Sequence, residues 1–394
     1  MAATFVTLAL TYGVWYAYSV FLVALVREFG WSRSLVAGAF SLFTLIHGLA
    51  SFPIGWLSDR IGPRRLVLSG GVVLTLGLVL DGAVTRPWHL YLAYGVVTAA
   101  GVSMAGWVPA VMLVQRWYPQ RVGTMLGLTS AGIGVGISFF GPFSQWLIDL
   151  VGWRGAFRIV AAIAFSWIVP ATLLLVRESP RTAVAPATAR VPAADDPTLR
   201  GVLPTLRFWL LGTCSLSTSF VNQTLLVHQV AYLVDHGIST FMAATVVSIV
   251  GIGSTVSKGA GGWVSDTLGR EATYTLGMAL VLASVGSLGL LAVVPSPAWA
   301  YLYGLLIGLG YSVTAPLMPA VVSDFYRGRH FGAIFGAIQA VNALGGSAGP
   351  WVAGRIFDHT GSYAGALMLT VAAGVLSIAA LWLAAPRRER AFGA

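Results

Sequence analysis

Among 394 residues there are 22 arginines but a single lysine, and that lysine falls inside an apolar run. Lys258 lies in Gly251-Ile252-Gly253-Ser254-Thr255-Val256-Ser257-Lys258-Gly259-Ala260-Gly261-Gly262. An ammonium at the centre of a bilayer costs about 2.5–3.5 kcal/mol on insertion scales and is tolerated where it faces a water-filled path. The plainer reading is snorkelling. Asp266 follows eight residues later, roughly 12 Å along a helix, and a lysine stem shortens the reach to the interface. The Gly and Ser around Lys258 suit a packed inner wall better than a lipid face, so we read it as a group that holds a ligand. A fixed buried cation selects anions. With no second Lys or Arg inside a span, it suits one carboxylate better than two. Ser254, one turn earlier, can donate to the same ligand.

Other polar residues fall within apolar runs. His228 follows Asn222 by six residues and precedes Gln229; its imidazole can donate to a carboxylate or titrate near its reference pKa of ~6.5, or simply bond water or a carbonyl. His47 stands alone among apolar neighbours and is expected to be satisfied locally. Asp81 and Asp149 are expected near helix ends. Tyr12 and Tyr16, one turn apart, share a face that can line a cavity. Tyr311 and Asn342 are comparably placed, although aromatics in membrane helices more often pack or anchor. No phosphate-binding glycine loop, metal-ligand cluster or nucleophile–base set is present. The expectation is therefore no enzyme, no cofactor and no metal.

The elements that position these groups follow from composition. Hydrophobic residues make up 57% of the chain and charged residues 9%, against about 25% charged in a soluble domain. Apolar runs between polar breaks predict twelve transmembrane helices near 3–26, 34–57, 66–83, 88–115, 121–147, 154–176, 208–234, 240–264, 272–294, 298–322, 330–354 and 362–384. Each is long enough for the ~20 residues a bilayer demands. The first run is too long for a signal peptide. One cysteine, Cys214, excludes a disulfide scaffold. The stretch 177–207 reads as a flexible cytoplasmic linker between halves 1–176 and 208–394. Alternate loops carry 16 of the 22 arginines, so that side and both termini are placed in the cytoplasm. The net charge of +10 is thus a topology signal, and nucleic acid is not an expected partner.

The halves repeat. Gly55-Trp56-Leu57-Ser58-Asp59-Arg60-Ile61-Gly62 recurs as Gly262-Trp263-Val264-Ser265-Asp266-Thr267-Leu268-Gly269, and Gly141-Pro142 returns as Gly349-Pro350. Trp117-Tyr118 with Arg121 and Gly123 is echoed by Phe325-Tyr326 with Arg329 and Gly332. Such parallel repeats mark a duplicated six-helix unit. The loop Gly55…Asp59-Arg60-Ile61-Gly62-Pro63-Arg64-Arg65 resembles the signature of the major facilitator superfamily. That resemblance implies an all-α membrane fold of two six-helix bundles. It also implies a conformational latch at Gly55, Asp59, Arg60, Gly62 and Arg64, with Asp266 and Arg270 in the twin loop. Gly55 is expected where helix 2 approaches a neighbour closely.

Three further segments resemble the monocarboxylate transporter group and its bacterial relatives. They are Phe29-Gly30-Trp31-Ser32-Arg33, Arg116-Trp117-Tyr118-Pro119-Gln120-Arg121-Val122-Gly123 and His228-Gln229-Val230-Ala231-Tyr232-Leu233-Val234-Asp235-His236-Gly237. In that group helix 8 carries the basic residue that holds the substrate carboxylate, a position Lys258 occupies, and some bacterial members place a histidine like His228 in the pocket. Animal members have an acid where this chain has Ser254 and a lysine where it has Tyr16. Oxalate exchangers have a second cation where this chain has Gln339 and Asn342. The expectation is a secondary transporter of a small organic monoanion such as lactate or pyruvate, coupled to protons through Lys258 or His228. It would sit in the inner membrane, among lipid, as a monomer. Exchange or uniport of another carboxylate of the oxalate or formate type, and multidrug export, are the alternatives. Export would call for a mid-span carboxylate, and none is placed there.

Overall fold

The computed structural model describes residues 1–118, 122–176, 197–326 and 330–384, and every regular element among them is helical. The first half holds α1 (Ala2–Phe29), α2 (Arg33–Ile61) and α3 (Pro63–Asp81). α4 is assembled from Pro87–Leu90, a π-helical Tyr91–Thr98, Ala99–Ala105 and Trp107–Trp117. Val122–Leu174 is one helical stretch that turns at Gly152 (φ 72°, ψ 164°), giving α5 (122–151) and α6 (153–174). A one-turn helix at Leu199–Val202 precedes α7 (Leu206–Asp235), α8 (Thr240–Leu268), α9 (Arg270–Val293), α10 (Pro297–Phe325), α11 (Phe331–Thr360) and α12 (Ala364–Ala384). Helix therefore begins inside the stretch read as linker; its residues 177–196, and the tail 385–394, lie outside the described residues.

Among the described residues ten stretches are long and apolar enough to cross a membrane. One of them, Met125–Leu174, holds both α5 and α6. α7 is the polar member of the twelve, and its outer portion from Val221 to Leu233 is buried without interruption. A helix enclosed by protein on all sides does not need a lipid-compatible face.

The duplication is written into the backbone. Gly30 and Gly237 both close a helix end with positive φ (63° and 83°), as do Gly62 and Gly269 (88° and 86°), a conformation that favours glycine. Ser32 and Ser239 cap α2 and α8 by accepting from the amides of Leu35 and Met242. Within each half two helices touch through glycine: a Cβ on Gly136 would lie 2.0 Å from the Ala9 carbonyl oxygen, and one on Gly345 would lie 2.0 Å from that of Leu216.

Between the halves, α2 runs antiparallel to α11 and α5 packs on α8. From the end that carries Arg33 inward, Ser34 meets Gly354, Thr44 meets Gly346 and Gly48 meets Ala343. On the second seam Gly141 meets Val247, Gly251 meets Ser138 and Gly134 meets Thr255, while the Ser248 hydroxyl donates to the Ser138 carbonyl at 2.5 Å. Past mid-depth these glycine contacts stop. Gly55, Gly127, Gly332 and Gly336 have open space beside them. The halves form a V, closed at the Arg33 end and open at the arginine-rich end that carries the chain's start.

Candidate functional site

The apex of that V is where α1, α8 and α10 meet. Ser254, fully buried on α8, accepts from the Ser312 hydroxyl at 2.6 Å and lies 3.2 Å from the Tyr311 hydroxyl. Tyr311 in turn meets Tyr16 of α1. Three groups expected from sequence therefore come together, and they bridge the halves. Ser257 ties α8 to α10 through the Leu309 carbonyl at 2.6 Å.

Lys258 continues the stripe of Val247, Gly251 and Ser254, all buried. Val256, 59% exposed, stands two residues earlier, or about 200° around the helix axis. Lys258 is thus on the side of α8 turned away from the outward face formed by Ile252 and Val256. It is half-buried, one turn beyond Thr255, the last glycine contact on its seam. Among the described residues it has no hydrogen-bond or ion-pair partner. A half-buried cation without a counter-charge attracts an anion.

The other expected groups are placed differently. Asn342 donates to the Ser215 carbonyl and hydroxyl of α7, both at 3.0 Å. Asn222 is buried with its Oδ1 unpartnered. His47 bonds the Ser103 hydroxyl at 2.9 Å, the local satisfaction expected of it. Asp81 ends α3, where it is fully buried and accepts from the Thr98 hydroxyl at 2.8 Å.

His228 is not at the apex. Its Nε2 is 2.8 Å from the Pro350 carbonyl oxygen, and its Nδ1 is 2.9 Å from the Tyr363 hydroxyl. Both nitrogens are engaged, so in this conformation the ring has no free group for the ligand expected of it. Tyr363 accepts from Arg33 Nη1 at 2.8 Å. Arg33 also makes a two-pronged pair with Asp235, at 2.6 and 2.7 Å, and its guanidinium lies over the Phe357 ring at 3.8 Å. Asp358 accepts from the backbone amides of Arg33 and Ser34, both at 2.9 Å, capping α2 from the opposite half. In the sequence Arg33 and Asp235 stand out only within the resembling segments. Their pairing needs α2 and α7 brought together, which periodicity along one chain does not reveal.

The model of the Major Facilitator Superfamily matches residues 4–350. The chain belongs to that superfamily. Among curated relatives it is similar to monocarboxylate transporter 13 of Rattus norvegicus, at 29% identity over 93% of this chain and 85% of that one. It is also similar to human (Homo sapiens) monocarboxylate transporter 11, at 27% over 98% and 82%. Among solved structures, a bacterial homolog of the human lysosomal transporter Spinster, inward-facing and occupied, superposes with a TM-score of 0.71 at 18% identity, covering 97% of this chain and 96% of that one. The tetrameric PepTSo2 gives 0.74 at 16% identity over 98% and 96%.

The superfamily loop is built as follows. Gly62 takes the positive φ that turns α2 into α3. Arg64 caps the end of α6, donating to the Thr172 and Leu173 carbonyls at 3.1 and 2.7 Å. Arg60 lies over Trp56 at 3.9 Å. In the twin loop Arg270 pairs with Asp324 of α10 at 2.6 Å. Gly55 does not meet a neighbour as expected, because the halves are apart at this end. The side chains of Asp59 and Asp266 lie outside the described residues.

Proposed function

We infer that this superfamily protein carries a small organic monoanion, a short monocarboxylate of the lactate or pyruvate kind, by alternating access. The reading rests on one observation: a half-buried ammonium on the side of α8 turned away from Ile252 and Val256, without a partner among the described residues. Lys258 binds the carboxylate, Ser254 and Tyr311 donate to it, and Tyr16 closes the site from the first half. Asn222 and Asn342 border the cavity on the α7 and α11 side. The names of the curated relatives favour the same substrate class.

The arginine-rich loops favour a cytoplasmic position for the open end, so the conformation is inward-facing, with both termini cytoplasmic in the inner membrane of the cell. The path lies within one chain, which suits a monomer. An anion on Lys258 neutralises the site, whereas the empty charged site hinders return, so cotransport of a proton makes the cycle electroneutral. Each pH unit of gradient then supplies about 1.4 kcal/mol. Lys258 and His228 are the titratable groups available for that coupling.

The test is uptake of labelled lactate, pyruvate and propionate into proteoliposomes with and without an inward proton gradient. The parent is expected to accumulate the acids and the gradient to accelerate it; Lys258→Gln is expected to abolish uptake. Equal uptake by parent and variant would falsify the role of Lys258.

A further inference from the structure

We propose that His228 and Tyr363 form a proton-operated switch on the outer gate, so that binding a proton at His228 releases the Arg33 clasp and opens the end of the cleft that is closed here. The inference rests on the alternating-access reading above but not on the identity of the substrate.

The hydrogen bonds fix the protonation state of the closed gate. A carbonyl oxygen only accepts, so His228 Nε2 carries a hydrogen and donates to Pro350. Arginine only donates, so the Tyr363 oxygen accepts from Arg33. Tyr363 lies between α11 and α12, where burial pushes its hydroxyl above the usual phenol range, and it keeps its proton. That proton points to His228 Nδ1, which must then be a bare lone pair. The chain Arg33 → Tyr363 → His228 → Pro350 is complete only with a neutral imidazole.

Protonating Nδ1 puts two donors against one hydroxyl. Tyr363 must turn its own hydrogen away, and an imidazolium and a guanidinium then flank the same oxygen. The charged groups acting on His228 are Arg33 from α2, Asp235 from its own helix and Asp358 from α11. With a neutral His228 this set carries one positive and two negative charges; a proton balances it. Protonation is opposed at the one hydroxyl that links Arg33 to the second half. The remaining neighbours on these elements are Tyr232, whose hydroxyl donates to the Leu288 carbonyl at 2.9 Å, His236, which bonds the Tyr232 carbonyl at 2.8 Å, and Arg355 and His359, both exposed on α11.

The experiment reads gate opening directly. Spin labels are placed at the exposed ends of α3 and α9, as Ala83→Cys and Val294→Cys, in a Cys214→Ala background. Label separations are measured by pulsed electron resonance in lipid nanodiscs at pH 7.5 and pH 5.5. Acidification is expected to increase the long-separation population. A one-unit difference in His228 pKa between open and closed gates moves their ratio about tenfold across the transition. His228→Gln is expected to abolish the pH response, and Tyr363→Phe to raise the long-separation population at both pH values. A parent without a pH response, or a His228→Gln variant that keeps it, overturns the switch. If His228→Gln does not reconstitute, Tyr363→Phe decides alone: a pH response of parental size in that variant overturns the proposal. Failure of carboxylate uptake with the pH response intact removes the substrate assignment and leaves the switch standing.

Discussion

In the proposed site, Tyr311 and Ser254 each add one hydroxyl at the apex. Each offers the ligand a single hydrogen bond, worth about 1 kcal/mol net, so Tyr311→Phe and Ser254→Ala are each expected to raise KM for a monocarboxylate roughly fivefold. Uptake titrations check this, and kcat should fall less than twofold. Lys258→Arg is expected to retain charge but lose rate, because a planar fork does not replace a compact ammonium on a flexible stem. At this scale the sequence was a good guide where chemistry is rare: one lysine among arginines, in a glycine-rich helix, needs no structure to be noticed. It was a poor guide for His228. A histidine six residues from an asparagine reads the same whether it faces a cavity or a loop tyrosine 135 positions away.

The helices were placed within a few residues of their observed ends by apolar length alone, because lipid enforces that length. Details that depend on a neighbour were not. The π-helical stretch of α4 carries no distinctive composition, and nothing in the sequence around Arg64, expected in the latch, points to its capping of α6. Gly136 and Gly345 each bring a neighbouring helix backbone into contact. An added methyl there meets a backbone oxygen, which cannot rotate away. Gly136→Ala and Gly345→Ala are each expected to destabilise their half by about 1–3 kcal/mol, seen as a lower Tm in detergent. Gly127→Ala, with open space beside it, is expected to leave Tm unchanged.

For the whole molecule, the antiparallel pairing of α2 with α11 sets a register that extends past the last contact. Gly48 opposes Ala343, so seven residues further along each helix Gly55 opposes Gly336. A close approach at Gly55 is therefore expected in a conformation in which the arginine-rich end shuts. Gly55→Cys with Gly336→Cys, in a Cys214→Ala background, is expected to form a disulfide under oxidation and to stop uptake, which reduction restores. Gel mobility and uptake before and after reduction check this; no cross-link under turnover would contradict the register. The polarity of α7 has a consequence for how the chain is made. Its serines, threonines and amides gain little from hydrocarbon, so the segment does not pass into the bilayer on its own account. It must be accepted there by helices already inserted, which makes the second bundle's biogenesis depend on the first.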